Sequence, residues 1–230
     1  MKIFGKNLFR WVANTWRRGG LLRVIRVGWT TFWDGLWDWR HGTETLTRIP
    51  PDQLQTDSDN KQWAQYYGAT KAGPLMKLFR RLGLGKDNTF VDLGCGKGRV
   101  VMLAAQHGFK RVVGVDFSSE LCGVAERNIA EFRKRRAVDA DIRILHSDVV
   151  EYAVGSNDSV FFLYDPFSKE VLSKVLENIR LSLIAEPRNL CLIYNSPRHH
   201  EEIHRSGVFE RSSFYEIGGN EFYVYHVGEG

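Results

Sequence analysis

The residues with the clearest chemistry lie in one glycine turn and at places where a strand signal ends in an acidic side chain. Phe90-Val91-Asp92-Leu93-Gly94-Cys95-Gly96-Lys97-Gly98 reads as a short apolar strand running into a glycine-rich turn. Glycines at such a turn let the backbone approach a ligand closely and aim helix N-terminal amides at it. A dinucleotide fingerprint would be G-x-G-x-x-G. Here the third glycine comes one residue early, giving D-x-G-x-G-x-G. Asp116 closes a second strand signal and Asp148 follows a third, while a fourth runs through Leu163 and Tyr164 into Asp165-Pro166-Phe167. Open α/β sheets bind ligands beyond the carboxyl ends of their strands, so these positions belong to one edge.

Other reactive residue types have plainer explanations. His200-Glu201-Glu202-Ile203-His204 matches the H-E-x-x-H metalloprotease pattern. It follows Pro197 closely and precedes Gly207, so any helix is barely two turns; it reads as a polar surface helix, and no metal is expected. Cys95 inside the turn has no His partner nearby and reads as a small filler, with Cys122 and Cys191 as core residues. Arg133-Lys134-Arg135-Arg136 ends a helix pattern, where cations complement the dipole.

The elements that must position these residues alternate from residue 88 onward. Strand signals at Thr89–Leu93, Lys110–Val115, Asp141–Leu145, Val160–Tyr164 and Asn189–Tyr194 are separated by helical patterns at Arg99–His107, after Ser118-Ser119, and around Val171 to Ile179. Alternating strands and helices imply a parallel sheet with helices on both faces. The tail instead alternates in period two, from Val208 to Ile217 and from Glu221 to Val227, around Gly218-Gly219-Asn220, a hairpin signal. The fold class is therefore α/β: a doubly wound, mostly parallel sheet with a C-terminal antiparallel hairpin, preceded by an N-terminal helical arm. Upstream, Pro74 is placed to open a helix that Gly83 or Gly85 would close. The organisation reads as an arm over residues 1–48, a linker over 49–60 carrying Pro50-Pro51, and a domain over 61–230.

Charge sharpens that division. The 230 residues carry a net +5, yet residues 1–41 hold eight Lys/Arg against only Asp34 and Asp38, and six of the seven tryptophans. The remainder is nearly neutral, which excludes a globally basic nucleic-acid coat. Three scattered cysteines fit a reducing compartment and a cytoplasmic location. No uninterrupted apolar stretch is long enough to span a membrane.

The D-x-G-x-G-x-G turn, taken with the later strand ends, resembles the first motif of class I S-adenosylmethionine-dependent methyltransferases. The chain looks most like uncharacterised bacterial members, and more distantly like seven-strand protein-lysine methyltransferases. The resemblance implies S-adenosylmethionine as cofactor, held by Gly94, Cys95, Gly96 and Gly98. Asp116, beside Phe117, would take the ribose hydroxyls. Asp148 would accept from the adenine amino group, with the Val149 amide adjacent, and Asp92 would face the methionine ammonium. Asp38-Trp39-Arg40-His41-Gly42-Thr43-Glu44-Thr45 resembles a segment of that group. Tyr67-Gly68-Ala69-Thr70 resembles its Tyr-x-Pro-Thr element, with Ala69 in place of proline; it implies Tyr67 and Thr70 at the cofactor's methionine end. Tyr164-Asp165-Pro166-Phe167 resembles the (D/N)-P-P-(Y/F) site of amino-group methyltransferases, with one proline missing. It implies Asp165 as the group orienting an acceptor nitrogen and Tyr164 and Phe167 as walls.

On this reading the acceptor is a protein lysine or a small molecule rather than nucleic acid. A non-catalytic cofactor-binding scaffold and an NAD-dependent oxidoreductase are the alternatives, the latter disfavoured by the glycine spacing. In the arm, Leu22, Ile25, Trp29, Phe32, Trp33 and Leu36 form one apolar stripe at helical spacing. That stripe could pack on the domain, lie on the inner membrane surface as a peripheral contact through residues 1–37, or grip a polyanionic substrate.

Overall fold

In the computed structural model, the structure describes residues 20–47, 68–85, 87–164 and 167–228. A long helix α1 (Gly20–His41) and a shorter α2 (Ala72–Leu82) precede the sheet. Then follow β1 (Thr89–Leu93), α3 (Arg99–His107), β2 (Arg111–Asp116), α4 (Ser119–Arg135), β3 (Asp141–His146) and β4 (Asp158–Tyr164). The chain continues through α5 (Lys169–Ala185), β5 (Leu190–Asn195), α6 (His200–Arg205), β6 (Arg211–Ile217) and β7 (Asn220–Val227). The seven strands lie in the order β3-β2-β1-β4-β5-β7-β6. β1 to β5 run parallel, while β7 pairs antiparallel with both β5 and β6.

Burial explains the strand sequences. β1 is covered on both faces, so Thr-Phe-Val-Asp-Leu is buried at every position, as central parallel strands require. β3 is an edge strand, and Asp141 and Arg143 stand exposed along it. The period-two alternation sorts the apolar residues into two cores. Phe90, Val112 and Phe162 face a layer with Phe79, Val101 and Phe132, from α2, α3 and α4. Val91, Val113, Phe161 and Leu163 face Leu172, Leu176 and Ile179 of α5. Asp92 shares the pleat face of Phe90, which aims it toward α3 and the turn.

Two expected features shift. α2 begins at Ala72 rather than Pro74, which sits within the first turn, where a missing N–H costs little. Lys71 supplies no side-chain cap; instead Asp34 of α1 accepts from the Ala72 amide at 3.3 Å. The aromatic stripe of α1 does not pack on the domain at Trp29, Phe32 or Trp33, which are 62%, 62% and 50% exposed. The face that docks carries Asp34, Trp37, Asp38 and His41. A strong countercharge beneath it, described below, makes that acidic face the inward one.

Candidate functional site

Parallel connections bring the carboxyl ends of β1, β2, β3 and β4 to one edge, and the glycine turn opens there. Gly94, Gly96 and Gly98 all have left-handed φ, at 84°, 52° and 79°. The turn is tied down by Gly94 N and Cys95 N donating to Val115 O at 2.8 and 3.0 Å, and by Gly98 N donating to Cys95 O at 2.9 Å. Gly98 begins α3, and a Cβ there would lie 3.0 Å from the Ala125 Cβ. Glycine is therefore needed twice over at that position, for conformation and for the approach of α4.

Asp116 is buried and stitched to the turn. Its carboxylate accepts from Gly96 N at 2.8 Å and Ser118 N at 2.9 Å. Burial nevertheless raises its pKa to about 6, with those two amides working in the opposite direction. Asp92, equally buried, is held well above the ordinary carboxylate range by burial and by the neighbouring Asp116 charge. Two carboxylates are thus crowded beneath one turn in a site that resists negative charge. Cys95 is also pushed well above its ordinary pKa, first by burial and then by Asp116 and Asp92. A thiol so held is not a nucleophile, and its Sγ instead fills the space over Gly114.

The adjacent strand ends complete the edge. His146, closing β3, reaches the Phe117 carbonyl through Nε2 at 3.1 Å. Asp148 accepts from Val150 N at 3.0 Å, and Val149 is buried in the α5-side core. At the end of β4, Tyr164 is 36% exposed, and a Cβ on Gly68 would stand 3.8 Å from its ring. The Gly68-to-Thr70 segment therefore borders the strand-four end, with Thr70 buried. Phe167 packs partly buried against the α5-side core. Asp165 and Tyr67 lie outside the described residues.

Four neighbours escaped the sequence reading. Arg99, in the first turn of α3, is buried. Its guanidinium donates to Asp34 at 2.9 Å, to Asp38 at 3.4 Å and to Thr45 Oγ1 at 2.6 Å, and lies 4.7 Å above the Trp37 ring. Lys71 adds a second cation to Asp34 at 2.8 Å. Asn128 of α4 accepts from Glu44 N at 2.9 Å and donates to Lys97 O at 3.0 Å, joining the segment after α1 to the turn. Asn195, 1% exposed and paired in register with Tyr164, has a side-chain oxygen with no partner among the described residues. Arg99, Lys71 and Asn128 carry no sequence signature, because their partners are remote along the chain.

The H-E-x-x-H stretch forms only the six-residue α6. His200 bonds the Tyr225 hydroxyl and stacks on Tyr223. Among the described residues no group of His, Cys, Asp or Glu is placed to hold a metal ion.

Comparison with known proteins bears on this geometry. A family model described as "Histone methylation protein DOT1" matches residues 51–140. The ribosomal protein L11 methyltransferase of Thermotoga maritima is 32% identical over 102 residues, which is 44% of this chain and 35% of that protein. The chain thus spans about a third of the length of that curated relative. Protein arginine N-methyltransferase 1 of Saccharomyces cerevisiae is 56% identical over 42 residues, 18% of this chain and 12% of that protein. Among solved structures, TrmN from Thermus thermophilus superposes with a TM-score of 0.51 at 17% identity, covering 69% of this chain and 49% of that one, a likeness of fold. Strand order and the antiparallel C-terminal pair give the chain the fold of the class I S-adenosylmethionine-dependent methyltransferases, and its glycine turn lies within the residues whose sequence is similar to methyltransferases.

Proposed function

We propose that the chain transfers a methyl group from S-adenosylmethionine to a nitrogen nucleophile of a protein, with a lysine side chain as the preferred acceptor. The observation that carries the cofactor half is the pair of buried carboxylates, Asp92 and Asp116, under a left-handed glycine turn. Both have raised pKa values, and a ligand bringing positive charge relieves that cost. The two Asp116 oxygens retain acceptor capacity beyond the Gly96 and Ser118 amides, enough for a vicinal diol. The residues therefore fit a cationic nucleoside. Asp148 and the Val149 amide would hold its base, the turn around Gly94, Cys95, Gly96 and Gly98 its backbone-facing edge, and Asp92 with Thr70 and Tyr67 its amino-acid end.

The cofactor supplies a methyl already activated by a sulfonium. The protein must then align a nucleophile and remove one proton. An amine with a pKa near ~10.4 must be deprotonated before it can attack. Asp165 would orient that nitrogen, with Tyr164 and Phe167 as walls. Asn195, whose side-chain oxygen has no partner among the described residues and which pairs in register with Tyr164, is a further acceptor contact in this scheme. A protein acceptor is supported by the matched family's description and by the names of two relatives, each of which denotes a protein substrate.

The test is transfer of radiolabelled methyl into a cell lysate. Label removed by protease and retained through nuclease and small-molecule extraction supports the proposal. Label lost to nuclease, or extracted as a small molecule, overturns the protein acceptor. Absence of transfer with intact S-adenosylhomocysteine binding would mark a non-catalytic binding module.

A further inference from the structure

The two faces of α1 are chemically opposite, and the structure buries the one that its hydropathy alone would leave outside. Asp34 and Asp38, the only acidic residues among the first 41, both point inward and are neutralised by Arg99 and Lys71. The outward face is left with Leu21, Trp29, Phe32, Trp33 and Trp39, all at least half exposed, and with exposed Arg40. Residues preceding α1 contribute five further Lys/Arg and no acidic residue. The described outward face of α1 is thus aromatic and carries Arg40, and the sequence that precedes the helix is basic.

We propose that this outward face docks on an anionic membrane surface, with α1 lying in the interface plane. Tryptophan favours the headgroup level, where its apolar ring and N–H are both accommodated, and basic residues attract anionic lipid. No described helix is long and apolar enough to cross a membrane, so the contact is peripheral. The ring geometry favours lipid over a nucleic-acid strand. Trp33 meets Trp29 and Phe32 edge-on, at 72° and 76°, forming one apolar knob. Stacking on bases needs ring faces that stand open to successive bases. The inward face of the same helix holds Arg99 in the first turn of α3, so a seated α1 would keep the glycine turn beside the lipid surface.

The experiment is co-sedimentation of the full chain with vesicles of phosphatidylcholine alone and with phosphatidylglycerol added. It is repeated with the triple variant Trp29→Ser, Phe32→Ser, Trp33→Ser. These side chains are exposed, and unchanged S-adenosylhomocysteine binding by calorimetry checks that the variant is folded. The proposal expects pelleting with the anionic vesicles, weaker pelleting with the neutral ones, and roughly a tenfold or greater loss of partitioning in the triple variant. Equal pelleting of both proteins, or none with anionic vesicles, overturns it. So does a face that ignores vesicles but binds single-stranded RNA in a manner lost in the triple variant.

Discussion

Replacing Asp116 by asparagine separates the cost of its buried charge from the value of its acceptor oxygens. Holding this carboxyl at about 6 instead of 3.8 corresponds to roughly 3 kcal/mol against the folded state once the group is ionised. The sign follows from the raised pKa. The folded protein binds the proton more tightly, so this destabilisation is absent below about pH 4, grows as pH climbs to 6, and is complete above it. Asparagine removes it, but one of the two amides now bonded, Gly96 N or Ser118 N, then faces an NH₂ group and loses its acceptor. That costs about 1–3 kcal/mol. Asp116→Asn should therefore be less stable than the parent near pH 4, yet equal to it or up to about 2 kcal/mol more stable at pH 7. In urea denaturation the difference between the two proteins reports Asp116 together with Asp92, whose pKa the Asp116 charge helps to raise. Affinity for S-adenosylhomocysteine at pH 7 should fall between about tenfold and a hundredfold, because charge-assisted bonds to the ribose hydroxyls are lost. In the parent, that affinity should weaken as pH falls below about 6. A pH-independent stability difference, or undiminished binding by the variant, refutes the reasoning.

Other substitutions read different parts of the site. Arg99→Met deprives the buried Asp38 of its Arg99 ion pair and leaves Asp34 with Lys71, and should destabilise the protein by about 3–5 kcal/mol in chemical denaturation; a loss under about 1 kcal/mol would mean that the network is not a buried ion cluster. Gly98→Ala meets both a φ of 79° and the Ala125 contact, whereas Gly207→Ala at φ 63° meets open space. The first should cost about 1–3 kcal/mol and weaken S-adenosylhomocysteine binding, the second about 1 kcal/mol with binding intact; equal losses would assign the whole effect to backbone conformation. Asp165→Ala should lower kcat by about tenfold or more while leaving S-adenosylhomocysteine affinity unchanged, and a matching drop in affinity would move Asp165 into the cofactor site.

The legible parts of this chain are those written in local periodicity. Consecutive apolar runs marked β1, β2, β4 and β5 within a residue or two, because strands covered on both faces need side chains buried at nearly every position. The D-x-G-x-G-x-G turn was readable because only glycine tolerates three left-handed positions so close together. Ser118 capping α4 through Leu121 N is equally local. Given parallel connections, these elements suffice to bring Asp92, Asp116 and Asp148 to one edge.

The orientation of α1 was not written there. Its residues offer an aromatic stripe and an acidic one, and hydropathy alone would bury the first. Which stripe turns inward depends on Arg99, which bonds Asp38 and Asp34 across 61 and 65 residues of chain. A buried guanidinium without carboxylates would cost several kcal/mol. Local pattern is enough to specify a parallel sheet and a glycine turn, because each depends on neighbours along the chain. The facing of the described part of the arm was decided by charges that meet only after folding.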